Sequence, residues 1–220
     1  MKTIKTYLKT EFKIISILSM LSAFSIILLM VRMKLTQSYY YLFLVWNLFL
    51  AGIPYLLSSY LSTLHKPNTF YVFAVSFAWL LFLPNAPYII TDLFHLQYSN
   101  QHLIWLDTLV IAAFAITGML LFFKSVVSME TIFKTNFNNR IINYSKPILF
   151  ILVGFGVYLG RFLRFNSWEI INKPISIFET IFEITLNPSI HQSAWLFTVV
   201  FGLFLWVGYI VFKQFTTIKA

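Results

Sequence analysis

Residues Ile14–Val31 read IISILSMLSAFSIILLMV, an unbroken apolar stretch without one charged residue. A helix rises about 1.5 Å per residue and the hydrocarbon core of a bilayer is about 30 Å thick, so roughly 20 such residues cross it. Lys2, Lys5, Lys9 and Lys13 precede the stretch, and Arg32 and Lys34 follow it. A basic start before an apolar run also opens a signal peptide. This run is long, however, and no A-x-A-like site closes it, which predicts an uncleaved anchor.

The rest of the 220 residues repeats that pattern. Further apolar runs lie at 39–61 (with Asn47 and Pro54 inside), 69–83, 106–127, 147–162 and 194–212. Together with 14–31 they predict an all-α polytopic transmembrane helix bundle of about six spans, a single integral membrane domain over residues 1–220. Pro54 predicts a kink that releases the Leu50 carbonyl. Residues 89–98 fit a re-entrant piece. The cytoplasmic stretch 130–146, rich in Asn and Lys, reads as a solvated loop, and 175–186 as an amphipathic helix lying on the outer surface. Gly156 and Gly160 form a G-x-x-x-G spacing that allows close helix approach.

Composition agrees. Hydrophobic residues are 59% of the chain, charged ones 10%, and mean hydropathy is +0.79. A soluble domain carries about 45–50% apolar and about 25% charged residues, so a water-soluble globule and a disordered chain are both excluded. The net charge is +9, but the basic residues are scattered between apolar runs. That distribution fits topology control and attraction to anionic lipid, not nucleic-acid binding. There is no cysteine, hence no disulfide, thiolate metal site or Cys nucleophile. Abundant Ile, Phe, Lys and Asn point to an AT-rich bacterial genome.

Orientation follows from Lys and Arg. With the N-terminus cytoplasmic, eleven of the 16 basic residues fall inside; Arg32, Lys34, Arg161, Arg164 and Lys173 fall outside. The expected address is the inner or plasma membrane, with both termini cytoplasmic. Segments 84–106 and 162–193 then share the outer face. They hold Asp92, Glu169, Glu179, Glu183, His95, His102 and His191, and Asp107 directly follows the first.

The first of these segments contains LPNAPYIITDLFHL, Leu83–Leu96. Residues before proline are pushed out of helix, so the third helix should break at Pro84 and Pro87, near Asn85. Thr91 is placed to cap a new short helix in which Asp92 and His95, three apart, share a face. An Asp-x-x-His pair suits metal ligation or proton transfer. As a metal motif it is short of ligands; Asp92, His95 and His191 are the candidates, and no metal or cofactor is assigned. The second segment begins within YLGRFLRFNSWEI, Tyr158–Ile170. Arg161 and Arg164, three apart on a helix, would present paired planar forks to a phosphate or carboxylate, with Asn166 and Trp168 alongside. The plain alternative is an interfacial collar of snorkelling Arg and belt Trp. Asp107 opens the fourth span, where a carboxylate is costly unless paired. Pairing with an arginine such as Arg161 is favoured over a third metal ligand. Asn47 is expected to bond across helices.

These two blocks resemble the signature regions of domain-of-unknown-function family 1361, predicted bacterial multi-pass membrane proteins. The resemblance spans roughly the second apolar run onward and implies a membrane protein without an assigned activity or catalytic residue. No G-x-S-x-G, P-loop, H-E-x-x-H or dinucleotide turn is present, which leaves ATP-driven work and a serine triad unsupported. The expectation is an outward-facing polar site of Asn85, Asp92, His95, Asp107, Arg161, Arg164, Asn166 and Trp168 that binds a lipid headgroup, anionic amphiphile or lipid-linked phosphate. A lipid-modifying, metal-assisted enzyme would need Asp92 and His95 to converge with Asp107 or His191. A small transporter would need a polar path to the opposite face. A scaffold would show Asp–Arg pairs closing the cluster.

Overall fold

The computed structural model describes residues 4–64, 67–99, 101–136, 138–165, 172 and 174–217. Among them the chain is helical, with no strand. The helices are α1 (Ile4–Thr36), α2 (Phe43–Thr63), α3 (Thr69–Phe82), α4 (Asn85–Tyr88), α5 (Ile104–Asn136), α6 (Asn139–Arg161), α7 (Pro174–Leu186) and α8 (Gln192–Thr217). A one-turn 3-10 helix, Tyr40–Leu42, leads into α2, and a longer 3-10 segment, Ile89–Tyr98, follows α4. Six stretches are long and apolar enough to span a bilayer: Glu11–Thr36, Tyr40–Thr63, Thr69–Tyr98, Ile104–Thr135, Asn139–Arg161 and Gln192–Thr216. Each contains one of the six apolar runs or nearly all of it. The chain is a multi-pass membrane protein.

Two differences from the sequence expectation have clear causes. Residues 130–146 are not a loop, because α5 runs to Asn136 and α6 begins at Asn139. An apolar run marks only the part of a helix that meets hydrocarbon; these helices continue beyond it. The Asn138 side chain caps the new start, accepting from the Arg140 amide at 2.9 Å. Asn68 caps α3 in the same way through the Phe70 amide. The second difference is at the prolines. Helix α3 ends at Phe82, beside the expected break, but α4 and the 3-10 segment 89–98 carry the same span-length stretch on to Tyr98. Leu83 (φ −56, ψ −39), Pro84 (−62, −23) and Ile89 (−57, −28) all keep right-handed helical backbone. The amide hydrogens that proline lacks are circumvented by tightening. Ala86 N–H bonds three residues back to the Leu83 carbonyl, and the Asn85 side chain donates to the Phe82 carbonyl at 2.9 Å. Thr91 accordingly caps nothing; its hydroxyl donates back to the Tyr88 carbonyl. Pro54 sits inside α2, which continues through it.

The chain divides into two compact units, Met1–Ile132 and Phe133–Ala220. In the first, α5 is the most enclosed span, with 61% of its apolar window buried against 17% for α1. Its buried face carries Val110, Ile111, Phe114 and Phe122, while Phe24, Ile27 and Met30 of α1 point outward, as lipid-facing residues should. Three polar contacts join α1 to α5. Arg32 pairs with Asp107, Ser25 meets Thr117 at 3.3 Å, and Glu11 pairs with Lys124 at 2.8 Å. Residue numbers fall along α1 as they rise along α5, so the two helices are antiparallel. Gly118 of α5 admits the backbone of α4: a Cβ there would lie 2.7 Å from the Ala86 carbonyl oxygen.

In the second unit α6 packs on α8. The tight contact is at Gly154 and Gly202, where a Cβ on Gly154 would meet the Thr198 carbonyl oxygen at 2.6 Å and the Gly202 amide nitrogen at 3.1 Å. Phe150, Val153, Val157 and Leu205 are buried around it. Helix α7 has apolar residues on two faces. Ile177 and Ile184 are buried, whereas Ile175, Phe178, Phe182 and Leu186 are exposed; Trp195 of α8 donates to the Ile184 carbonyl.

Gly154→Val is expected to lower the stability of detergent-solubilised protein by about 1–3 kcal/mol, the usual cost of overpacking. Gly52, with nothing within 4 Å of its virtual Cβ, is the control: Gly52→Ala is expected to be neutral or to gain up to about 1 kcal/mol of helix propensity. Thermal unfolding of the two variants side by side checks both.

Candidate functional site

In the first unit the end of α1, the start of α2, the end of the third span and the start of α5 are joined by short connections, so all four lie at one end of the unit. Most of the polar side chains singled out from the sequence in this unit gather there.

Arg32 is the innermost cation. Its Nε donates to Asp107 Oδ1 at 2.8 Å, Nη2 reaches Oδ2 at 3.5 Å, and Nη1 donates to the Ser38 carbonyl at 3.3 Å. Arginine and carboxylate are both buried, with side-chain exposures of 8% and 1%. The guanidinium carbon stands 4.5 Å from the centre of the Tyr41 ring, within cation–π range. The planar guanidinium can thus use its edge on the carboxylate and its face on the ring. Tyr41, fully buried, shares a hydrogen bond of 2.8 Å with Ser99 Oγ and donates to the His95 carbonyl at 3.4 Å.

Asp92 is the second buried acid, 1% exposed. Its Oδ2 accepts from Asn47 Nδ2 at 2.9 Å, so Asn47 does bond across helices, from α2 to the third span. Its Oδ1 faces His95 Nε2 at 3.9 Å. The 3-10 pitch explains that alignment, because residues three apart eclipse one another when there are three per turn. Asp92, His95 and Tyr98 therefore form one column. His95 is partly exposed, and its Nδ1 lies 3.1 Å from the Tyr40 hydroxyl. The imidazole sits among the rings of Phe43 (4.9 Å), Tyr40 (6.0 Å) and Tyr98 (6.4 Å).

The structure thus brings Asp92, His95 and Asp107 to one end of the first unit, with Asn85 used locally at the α3–α4 junction. The arginine beside Asp107 is Arg32, which the sequence reading had assigned only to topology. Arg161 and Arg164 belong to the second unit. The helical face expected to hold both does not extend that far, because α6 ends at Arg161. Arg164 follows in left-handed conformation (φ 60), where the Phe165 amide turns back to the Leu159 carbonyl. Arg164 is exposed and Arg161 half-buried. Asn166 and Trp168 lie outside the described residues. His191, also in the second unit, has Nε2 3.8 Å from Glu183 Oε1, and its carbonyl accepts the first amides of α8. Among the described residues no three His, Asp or Glu side chains are grouped to hold a metal ion.

Arg32, Tyr40, Tyr41 and Ser99 were missed as site residues. The available signal was Arg32 at the end of an apolar run, a few residues before the tyrosine triplet 39–41. A buried cation wants both a carboxylate and an aromatic face.

Asn47→Ala removes a hydrogen bond to a buried carboxylate and is expected to cost about 1.5–3 kcal/mol of unfolding free energy. Chemical denaturation of the purified variant would show it, and an unchanged midpoint would mean that Asp92 is held by other groups.

Searches of curated proteins and of solved structures found no match. Residues 46–207 match the family described as "Protein of unknown function (DUF1361)". That match covers most of the chain, including the Asp92–His95 column and the Arg161 end of α6, and the chain belongs to this family.

Proposed function

We propose that this multi-pass membrane protein binds a lipid headgroup or anionic amphiphile at the polar end of its first unit. The supporting observation is the gradient of exposure there. Arg32 and Asp107 are buried against each other and Asp92 is buried against Asn47, while His95 is partly open and Tyr40, Tyr39, Tyr98 and Trp105 are exposed. Aromatic rings with polar edges favour the headgroup level of a bilayer. There an imidazole N–H and a phenol O–H are donors suited to phosphate or ester oxygens. Arg161 and Arg164 of the second unit are separate candidates for an anionic group. The excess of Lys and Arg on one set of connections supports placement in a bacterial inner membrane with both termini cytoplasmic.

Native mass spectrometry of the detergent-purified chain tests the binding. A co-purifying lipid or lipid-linked phosphate is expected, with occupancy falling at least several-fold in His95→Ala or Tyr40→Ala. Arg161→Ala reports on the second unit independently. Retention of no lipid, or equal retention by every variant, would overturn the proposal.

A further inference from the structure

We infer that His95 is positioned to act as the base for the Tyr40 phenol, making Tyr40 a nucleophile at the membrane boundary. Three observations lead there. Asp92 is buried, and its Oδ1 lies 3.9 Å from the imidazole Nε2. That carboxylate favours the tautomer with hydrogen on Nε2, which leaves the Nδ1 lone pair open. Nδ1 lies 3.1 Å from the Tyr40 oxygen, so in that tautomer the phenol donates to it. Carboxylate, imidazole and hydroxyl then stand in the order that activates a nucleophile in unrelated hydrolases: acid orienting base, base receiving the hydroxyl proton.

Burial supports the direction of the relay. Asp92 is 1% exposed and fixed from behind by Asn47, whereas Tyr40 is 45% exposed. The buried carboxylate cannot meet a reactant from outside, whereas the phenol is the most open member of the three. The Asp92–Nε2 separation of 3.9 Å is longer than a hydrogen bond; such contacts are often loose without a ligand and tighten on binding. Asp92 is a positioning residue, not a reacting one.

The reactant this arrangement takes is an ester of a carboxylic or phosphoric acid carried at the lipid boundary. The Tyr40 oxygen forms the new bond to the electrophilic centre and its proton passes to His95 Nδ1. The bond to the leaving group breaks, and its electron pair departs with that group, which can then take the proton back. The inference concerns the same two residues as the headgroup proposal but does not rest on it, since nucleophilicity is measurable without any bound lipid.

The test is to treat the full chain in detergent with benzenesulfonyl fluoride. A phenol oxygen displaces fluoride from this probe and stays covalently marked. Mass spectrometry of peptides then reads the rate at each tyrosine. Tyr39, Tyr98 and Tyr144 are 73%, 70% and 75% exposed, so accessibility alone ranks all three above Tyr40. Base assistance instead puts Tyr40 ahead of them, on the order of tenfold or more. His95→Phe is expected to abolish that excess. Asp92→Asn is expected to reduce it, with the rates at Tyr39 and Tyr144 unchanged in both. A fluorophosphonate and a p-nitrophenyl ester run in parallel tell a phosphoryl from an acyl preference. A Tyr40 rate in the unmodified protein no higher than that of Tyr144 overturns the inference, however the variants fold. So does labelling that falls on His95 itself, or an excess that survives His95→Phe.

Discussion

A charge buried inside a membrane protein must find its opposite, and the contact between Arg32 and Asp107 is where this chain meets that demand most severely. Both side chains are buried near the ends of membrane-spanning helices, and leaving either charge buried without its partner costs several kcal/mol. The pair also fixes geometry. Arg32 on α1 meets Asp107 on α5 at one end, and Glu11 on α1 meets Lys124 on α5 at the other, with a Ser25–Thr117 contact between. The ion pairs are twenty-one residues apart on α1 and seventeen on α5, or about 32 and 26 Å of helix at 1.5 Å per residue. That separation is close to the thickness of a bilayer's hydrocarbon. Their polarity is reversed between the two ends, so turning α1 over would bring like charges together, and sliding it along α5 would part both pairs.

Once α1 and α5 are set, the polar end of the first unit follows. Arg32 holds Tyr41 by its ring, Tyr41 reaches Ser99 and the His95 carbonyl, and the third span is tied to the start of α2. Asn47 adds a second tie through Asp92. The tightened 3-10 pitch after the two prolines aligns Asp92 under His95; α-helical pitch would rotate them about 60° apart around the axis. The contacts that stabilise this end are thus the same ones that aim an imidazole at Tyr40.

Span positions were legible in the sequence because apolar length is a local property: Ile14–Val31 needs no partner to be recognised. Asp92 and His95 were legible as a pair because three residues is a local spacing on either kind of helix. The partner of Asp107 was not, since Arg32 lies 75 residues away and several arginines qualified equally on charge. Nor were the true ends of α5 and α6, where hydropathy falls before helical structure does. The prolines marked the end of α3 at Phe82 but not the helical backbone that continues past them. Their steric rule disfavours helix at the preceding residue but does not forbid it, and Asn85 with the Leu83–Ala86 bond makes up what proline removes. Gly154, where α6 closes on α8, was not legible, because sequence spacing alone does not name the face that meets a neighbouring helix.

The most direct test of the central pairing is a double-mutant cycle on unfolding in detergent, with Arg32→Met, Asp107→Leu and both together. Each single change strands a buried charge and is expected to cost about 3–5 kcal/mol, while the double change, which removes both charges, recovers most of that loss. Single costs that simply add in the double variant would contradict the account, because the two residues would then contribute independently.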